Sequence, residues 1–167
     1  IARADVQAAL GGVELVAPDA WDALRVAAWR PRFASEVDAT ALPHETDWLR
    51  SAVHLNKGCY RGQETVAKVH NLGHPPRRLT FLHLDGSNQL LPQETEVTLG
   101  DKVVGRVTSI AQHYEMGPIA LAVLSRSVDA SATLMIGNVA ASQEVIVPAD
   151  AGKAANLPPR SELNQRR

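Results

Sequence analysis

Between residues 78 and 147 the sequence is cut into short apolar runs by turn signals, and this rhythm constrains the fold more than any other feature. Residues 79–84, 96–99, 102–110, 119–124 and 133–136 are β-branched or Leu-rich runs of strand length. Asp85-Gly86, Gly100-Asp101, Gly117-Pro118 and Gly137-Asn138 stand between them. Gly100-Asp101, between Val97-Thr98-Leu99 and Lys102-Val103-Val104, predicts a two-residue hairpin. Several strands at this spacing predict a small antiparallel barrel or sandwich.

The first 77 residues have a different texture. They hold all three tryptophans (Trp21, Trp29, Trp48) and read as helix with short connections. Pro18, followed by Asp19 and Asp22, is a helix start: proline fits the first turn and acids favour the positive end of the dipole. Trp21, Leu24 and Ala28 recur at helical spacing, and the helix must end before Pro31. Ahead of it Val13, Leu15 and Ala17 alternate like a short strand, and residues 36–47 read as loop. Pro75-Pro76 marks a boundary. The prediction is an α+β chain of a helical part (1–77), a β part (78–147) and a tail (148–167) with too little to bury to be ordered. Ile1 opens the chain close to the periodic stretch 3–10, so it is expected to be part of a longer protein.

Composition removes several function classes. A net charge of −1 leaves no electrostatic footprint for direct nucleic-acid binding. The apolar runs fall far short of the roughly 20 residues of a membrane helix, and no N-terminal segment reads as a secretory signal. The single cysteine, Cys59, forbids an internal disulfide and a self-contained Cys-ligated zinc or iron–sulfur site. A lone thiol fits a reducing, cytoplasmic setting. His70 and His74 are four apart, but Gly73 falls at the helix end between them and no carboxylate follows at useful spacing, so no metal site is expected. His83 belongs to the outer face of its strand.

Chemistry concentrates in Lys57-Gly58-Cys59-Tyr60-Arg61-Gly62-Gln63-Glu64. Two glycines around one thiol mark backbone that turns sharply or admits something closely. Residues 63–71 then predict a short helix, with Gly73 just past its end. Cys59 would lie on the loop entering that helix, where the dipole and the flanking Lys57 and Arg61 favour the thiolate. Glu64 is the ordinary first-turn acid or a functional carboxylate. A lone cysteine is more often a small buried hydrophobe; glycines on both sides argue for a presented one.

This segment resembles the K-G-C-[FY]-x-G-Q-E signature of the YgfZ-type folate-binding proteins, relatives of the aminomethyltransferase (T-protein) of the glycine cleavage system. Arg25, Pro31-Arg32 and Leu42-Pro43-His44-Glu45 are similar to the family's R-x-E-A-G-x-P-R…L-P-x-E run, and Arg77-Arg78-Leu79 matches at the first strand of the β part. The resemblance spans roughly residues 10–145. It implies the C-terminal part of a folate-binding aminomethyltransferase-like core followed by a small antiparallel β-barrel, with the earlier part of the core upstream of Ile1. It implies tetrahydrofolate or a derivative as ligand and a role in assembling or maintaining iron–sulfur clusters, with iron–sulfur proteins or their assembly machinery as partners and tRNA modification affected indirectly. By the same resemblance Cys59, Lys57 and Glu64 are the reactive residues, and Tyr60, Gly62, Gln63, Arg25 and Glu45 bind the folate. Ala27 stands where the family carries an acid, and Trp29 where it carries glycine, so a pterin-facing carboxylate would come from Glu45 or Glu64.

Two other readings stand beside this one. A tetrahydrofolate-dependent aminomethyltransferase would position its substrate with carboxylates and need no cysteine. A scaffold would keep Cys59 buried and idle. The cysteine in its glycine-flanked loop, and Ala27 in place of the acid, favour the accessory protein.

Overall fold

The computed structural model describes residues 3–11, 13, 15–86, 92, 94–148 and 151. The tail expected over 148–167 therefore lies outside the described residues, except for Pro148 and Ala151. Five helices come first: α1 (Arg3–Ala9), α2 (Pro18–Ala27), α3 (Phe33–Glu36), α4 (Trp48–Ser51) and α5 (Gln63–Leu72). Six strands follow: β1 (Arg77–Leu84), β2 (Glu96–Leu99), β3 (Lys102–His113), β4 (Gly117–Ser125), β5 (Leu134–Ile136) and β6 (Val139–Val145). The class is α+β.

The strands close into a barrel in the order β1-β4-β3-β2-β5-β6, every pairing antiparallel, and β6 returns to pair with β1. Closure leaves no free sheet edge. Gly100-Asp101 makes the expected hairpin, with Leu99 opposite Lys102. Alternation along each strand divides the core in two. Leu82, Leu84, Val97, Val107, Ala120, Ala122, Leu124, Leu134, Ile136 and Ala141 belong to one buried cluster. Leu79, Phe81, Ile119, Leu121 and Val123 belong to the other, covered by Val26 of α2 and by Ile146 and Val147. His83 stands on this second face, edge-on to Phe81 at 4.8 Å and within 3.2 Å of the Glu144 carboxylate.

Helix α2 lies against β3 and β4. Its buried positions are Ala23 and Val26, so the inward face is not the Trp21–Leu24–Ala28 stripe that spacing suggested. Trp21 is 62% exposed and Leu24 47%; small residues let the helix approach the barrel, which the indole would prevent. Trp29 lies beyond the helix end at φ 54° and packs near Phe81, 6.4 Å between ring centroids. The strand expected around residues 13–17 is absent at residues 13 and 15–17, which are exposed and lie in no regular element; no strand among the described residues pairs with them. Glu14 lies outside the described residues.

The 36–47 connection is largely irregular, as expected, yet Glu36, His44, Glu45 and Thr46 are buried. Glu36 accepts hydrogen bonds from Ser109 Oγ of β3 and from the Arg32 backbone N–H, both at 2.5 Å. The connection is therefore built into the body of the protein rather than draped over it.

Candidate functional site

The Lys57–Glu64 segment folds as a tight turn feeding α5. Gly62 caps the helix at φ 84°, a conformation that favours glycine. The Tyr60 backbone N–H donates to Gln63 Oε1 at 3.1 Å, and the Val66 N–H donates to the Gly62 carbonyl at 3.1 Å. Val66, 6% exposed, anchors the first turn of the helix. Lys57 Nζ stands 5.3 Å from the centroid of the Tyr60 ring, within cation–π range. Cys59 is exposed on this loop and takes part in no disulfide.

The loop forms one wall of a cleft of about 620 Å3. Lys57, Tyr60, Arg61 and Gly62, with Thr65 and Val66 of α5, line this side. Residues 39–43 line the facing side, and Ala52, Val53 and His54 complete the lining. None of the lining residues is acidic, whereas Lys57, Arg61 and His54 are cationic or able to become so. The lining suits an anion with a flat or apolar body.

Arg77 holds the facing wall. Its guanidinium donates to Asp38 at 2.6 and 3.2 Å and to Glu45 at 2.8 and 3.3 Å. Asp38 also accepts from the Thr40 N–H and hydroxyl, at 2.8 and 2.7 Å. The Arg77 guanidinium, then the Thr40 hydroxyl, hold the Asp38 carboxyl well below the usual carboxylate range. In turn, Asp38 first and Glu45 after it push Arg77 above its ordinary value, against burial. The Leu79 N–H donates to the Glu45 carbonyl at 2.6 Å, tying the same segment to β1.

The structure thus separates the residues singled out from the sequence. Lys57, Tyr60 and Gly62 line the cleft; Cys59 lies on the same loop but outside the lining; Gln63 acts through its bond to the Tyr60 backbone. Glu64 is exposed in the first turn of α5 and is not part of the lining. Glu45 is 1% exposed and committed to Arg77, so no carboxylate there faces a ligand. Arg25 is also elsewhere. It donates to Asp22 at 3.2 Å, the Arg30 carbonyl at 3.0 Å and Ser109 Oγ at 2.8 Å, fastening α2 to β3. Arg61 and His54 are not ligand contacts on the sequence reading, although Arg61 sits inside the signature; of the wall at 39–43 only Leu42-Pro43 falls in a family run, and Ala39, Thr40 and Ala41 carry no motif that would mark them. Among the described residues no cluster of three or more His, Cys, Asp or Glu is arranged to hold a metal ion, and no helix is long and apolar enough to cross a membrane.

No family model matches the chain. It is 30% identical over 134 residues to the tRNA-modifying protein YgfZ of Pectobacterium atrosepticum, covering 77% of this chain and 40% of that protein. A chloroplastic protein of Arabidopsis thaliana, provisionally named a transferase, is 36% identical over 90 residues, or 54% of this chain and 20% of its own length. The crystal structure of the glycine cleavage system aminomethyltransferase T of Bartonella henselae superposes with a TM-score of 0.67 at 20% identity, over 91% of this chain and 44% of that one. The chain spans less than half the length of each of these relatives.

Proposed function

We propose that this chain, a YgfZ-type protein related to the aminomethyltransferase T of the glycine cleavage system, binds a reduced folate in the cleft and acts through Cys59 as an accessory to iron–sulfur cluster assembly or repair. On this reading its effect on tRNA modification is indirect, through cluster-dependent enzymes, and its place is the reducing cytoplasm. The observation that carries the reading is the joining of the signature residues Lys57, Tyr60, Arg61 and Gly62 with His54 around one cleft whose lining has no acid. Its volume lies within the roughly 300–1,000 Å3 of small-molecule sites. Tyr60 offers a ring face to a flat body, Lys57 and Arg61 offer charge to the carboxylates of a folate tail, and Gly62 leaves room at the helix start. Cys59, exposed beside them, offers one sulfur ligand; a cluster needs several, so the others come from a client protein.

A transferase of the aminomethyl type would want a carboxylate facing the ligand. Among the described residues Glu45 is held by Arg77 and Glu64 is not part of the lining, which favours the accessory role. The test is a Cys59→Ala chain in cells that depend on the protein. Folate affinity is expected to stay within about twofold of the parent while the activity of cluster-dependent enzymes is lost. Full support of those enzymes by Cys59→Ala would overturn the reading.

A further inference from the structure

The two walls of the cleft are joined behind the lining by a pair of imidazoles. His44 follows Pro43 of one wall, and His70 lies one helical turn beyond Val66 of the other. Their ring centroids are 6.0 Å apart. His44 is 1% exposed, and among the described residues neither of its ring nitrogens has a hydrogen-bond partner, nor does the buried His70 Nδ1. A neutral ring tolerates such a place at moderate cost. An imidazolium would be a desolvated, unpaired charge facing a second basic ring.

We propose that the His44–His70 contact makes the cleft acid-sensitive: protonation of His44 against the His70 ring drives the 39–43 wall away from α5 and weakens ligand binding. The proposal rests on the reading of the cleft as the ligand site. The neighbouring charges offer His44 no compensation. Glu45, beside it, is committed to Arg77, as is Asp38 further along the wall. Asp47 closes the same turn and makes an interaction of its own, and the charges felt by His44 reduce to His70. On α5, Glu64 and Lys68 are exposed. His74, past the helix, contacts the Ala151 carbonyl through Nδ1 at 3.4 Å. Burial first, and His70 second, hold His44 below the usual imidazole range.

The sign follows. An unfolded histidine titrates near 6.5, so above that pH neither folded nor unfolded chain takes up this proton and the contact is at full strength. As pH falls below 6.5 the open or unfolded chain binds a proton that the closed form refuses. The closed form then loses up to about tenfold in its equilibrium per pH unit per proton. Asp38 acts in the same direction, but only below about 4, where an unfolded carboxyl gains its proton. The two windows are separate.

The test compares the parent chain with His44→Phe, using 5-formyltetrahydrofolate as probe at pH 7.5 and pH 5.5, together with an NMR titration of the histidine rings without ligand. We expect at least about a fivefold loss of affinity at pH 5.5 in the parent, less than twofold in His44→Phe, and a His44 ring that titrates below the ordinary imidazole value. Parent and variant share every residue of the lining, so the comparison between chains is decisive. If His44→Phe does not fold, His70→Gln takes its place. Binding with the same pH response in parent and variant, or a His44 ring titrating at 6.5 or above, overturns the acid switch alone. Absence of binding at both pH values overturns the folate reading of the cleft and the gating with it.

Discussion

Arg77 donates to Asp38 and Glu45 at once, and the two carboxylates lie on the connection that forms the second wall of the cleft. Removing the guanidinium would leave Glu45 buried, with the Leu42 N–H at 3.4 Å as its carboxylate's only remaining donor among the described residues. Arg77→Ala is therefore expected to destabilise the chain by about 2–3 kcal/mol, less than the ~3–5 of a wholly buried pair because Arg77 keeps part of its side chain in water. Glu45→Gln should cost less, since the amide oxygen still accepts from Arg77. Urea unfolding of both variants checks this; equal, sub-kilocalorie losses would mean that the clamp is superficial. At this scale the sequence was legible where chemistry is local. The glycine-flanked segment could be read as a turn because Gly58 and Gly62 are adjacent in sequence to what they serve. The roles of Arg77, Glu45 and Arg25 could not, because each depends on a partner more than 30 residues away.

Among the elements, β3 and β4 make the seam that allows closure, and Gly105 lies where they come closest. A Cβ at position 105 would press into the Val123 carbonyl oxygen and Leu124 Cα, both backbone atoms with little freedom to move. Gly105→Ala is expected to cost more than about 3 kcal/mol, in the range of overpacked cores, whereas Gly86→Ala, with nothing within 4 Å of the added carbon, should be nearly neutral. Thermal melts of the pair decide it, and similar melting temperatures would contradict the close approach. Strands β2 and β5 and the hairpin between β2 and β3 were legible from runs and turns. Strand β6 was not: Val139-Ala140-Ala141-Ser142-Gln143-Glu144-Val145 has a valine at each end and weak strand formers between. It is a strand because β1 and β5 each present it with an edge. The same logic explains why residues 13 and 15–17, which no strand among the described residues flanks, are not.

For the whole molecule, the barrel supplies a base on which α2 and the buried connection are fastened by separate means. Arg25 and Glu36 meet at Ser109 of β3, and Arg77 at the start of β1 grips Asp38 and Glu45. The cleft opens between the connection and the loop entering α5, so its shape follows from where the barrel begins and from the single buried residue of α5, Val66. On the proposed reading, the signature segment builds a cationic cleft for a reduced folate beside an exposed thiol. Calorimetric titration of 5-formyltetrahydrofolate at pH 7.5 into the parent, Arg61→Ala and Tyr60→Ala chains tests it most directly. The account predicts saturable one-to-one binding to the parent, weakened about tenfold or more by each substitution, with unchanged melting temperatures for Arg61→Ala. Equal affinity in all three chains would place the ligand outside this cleft and contradict the claim.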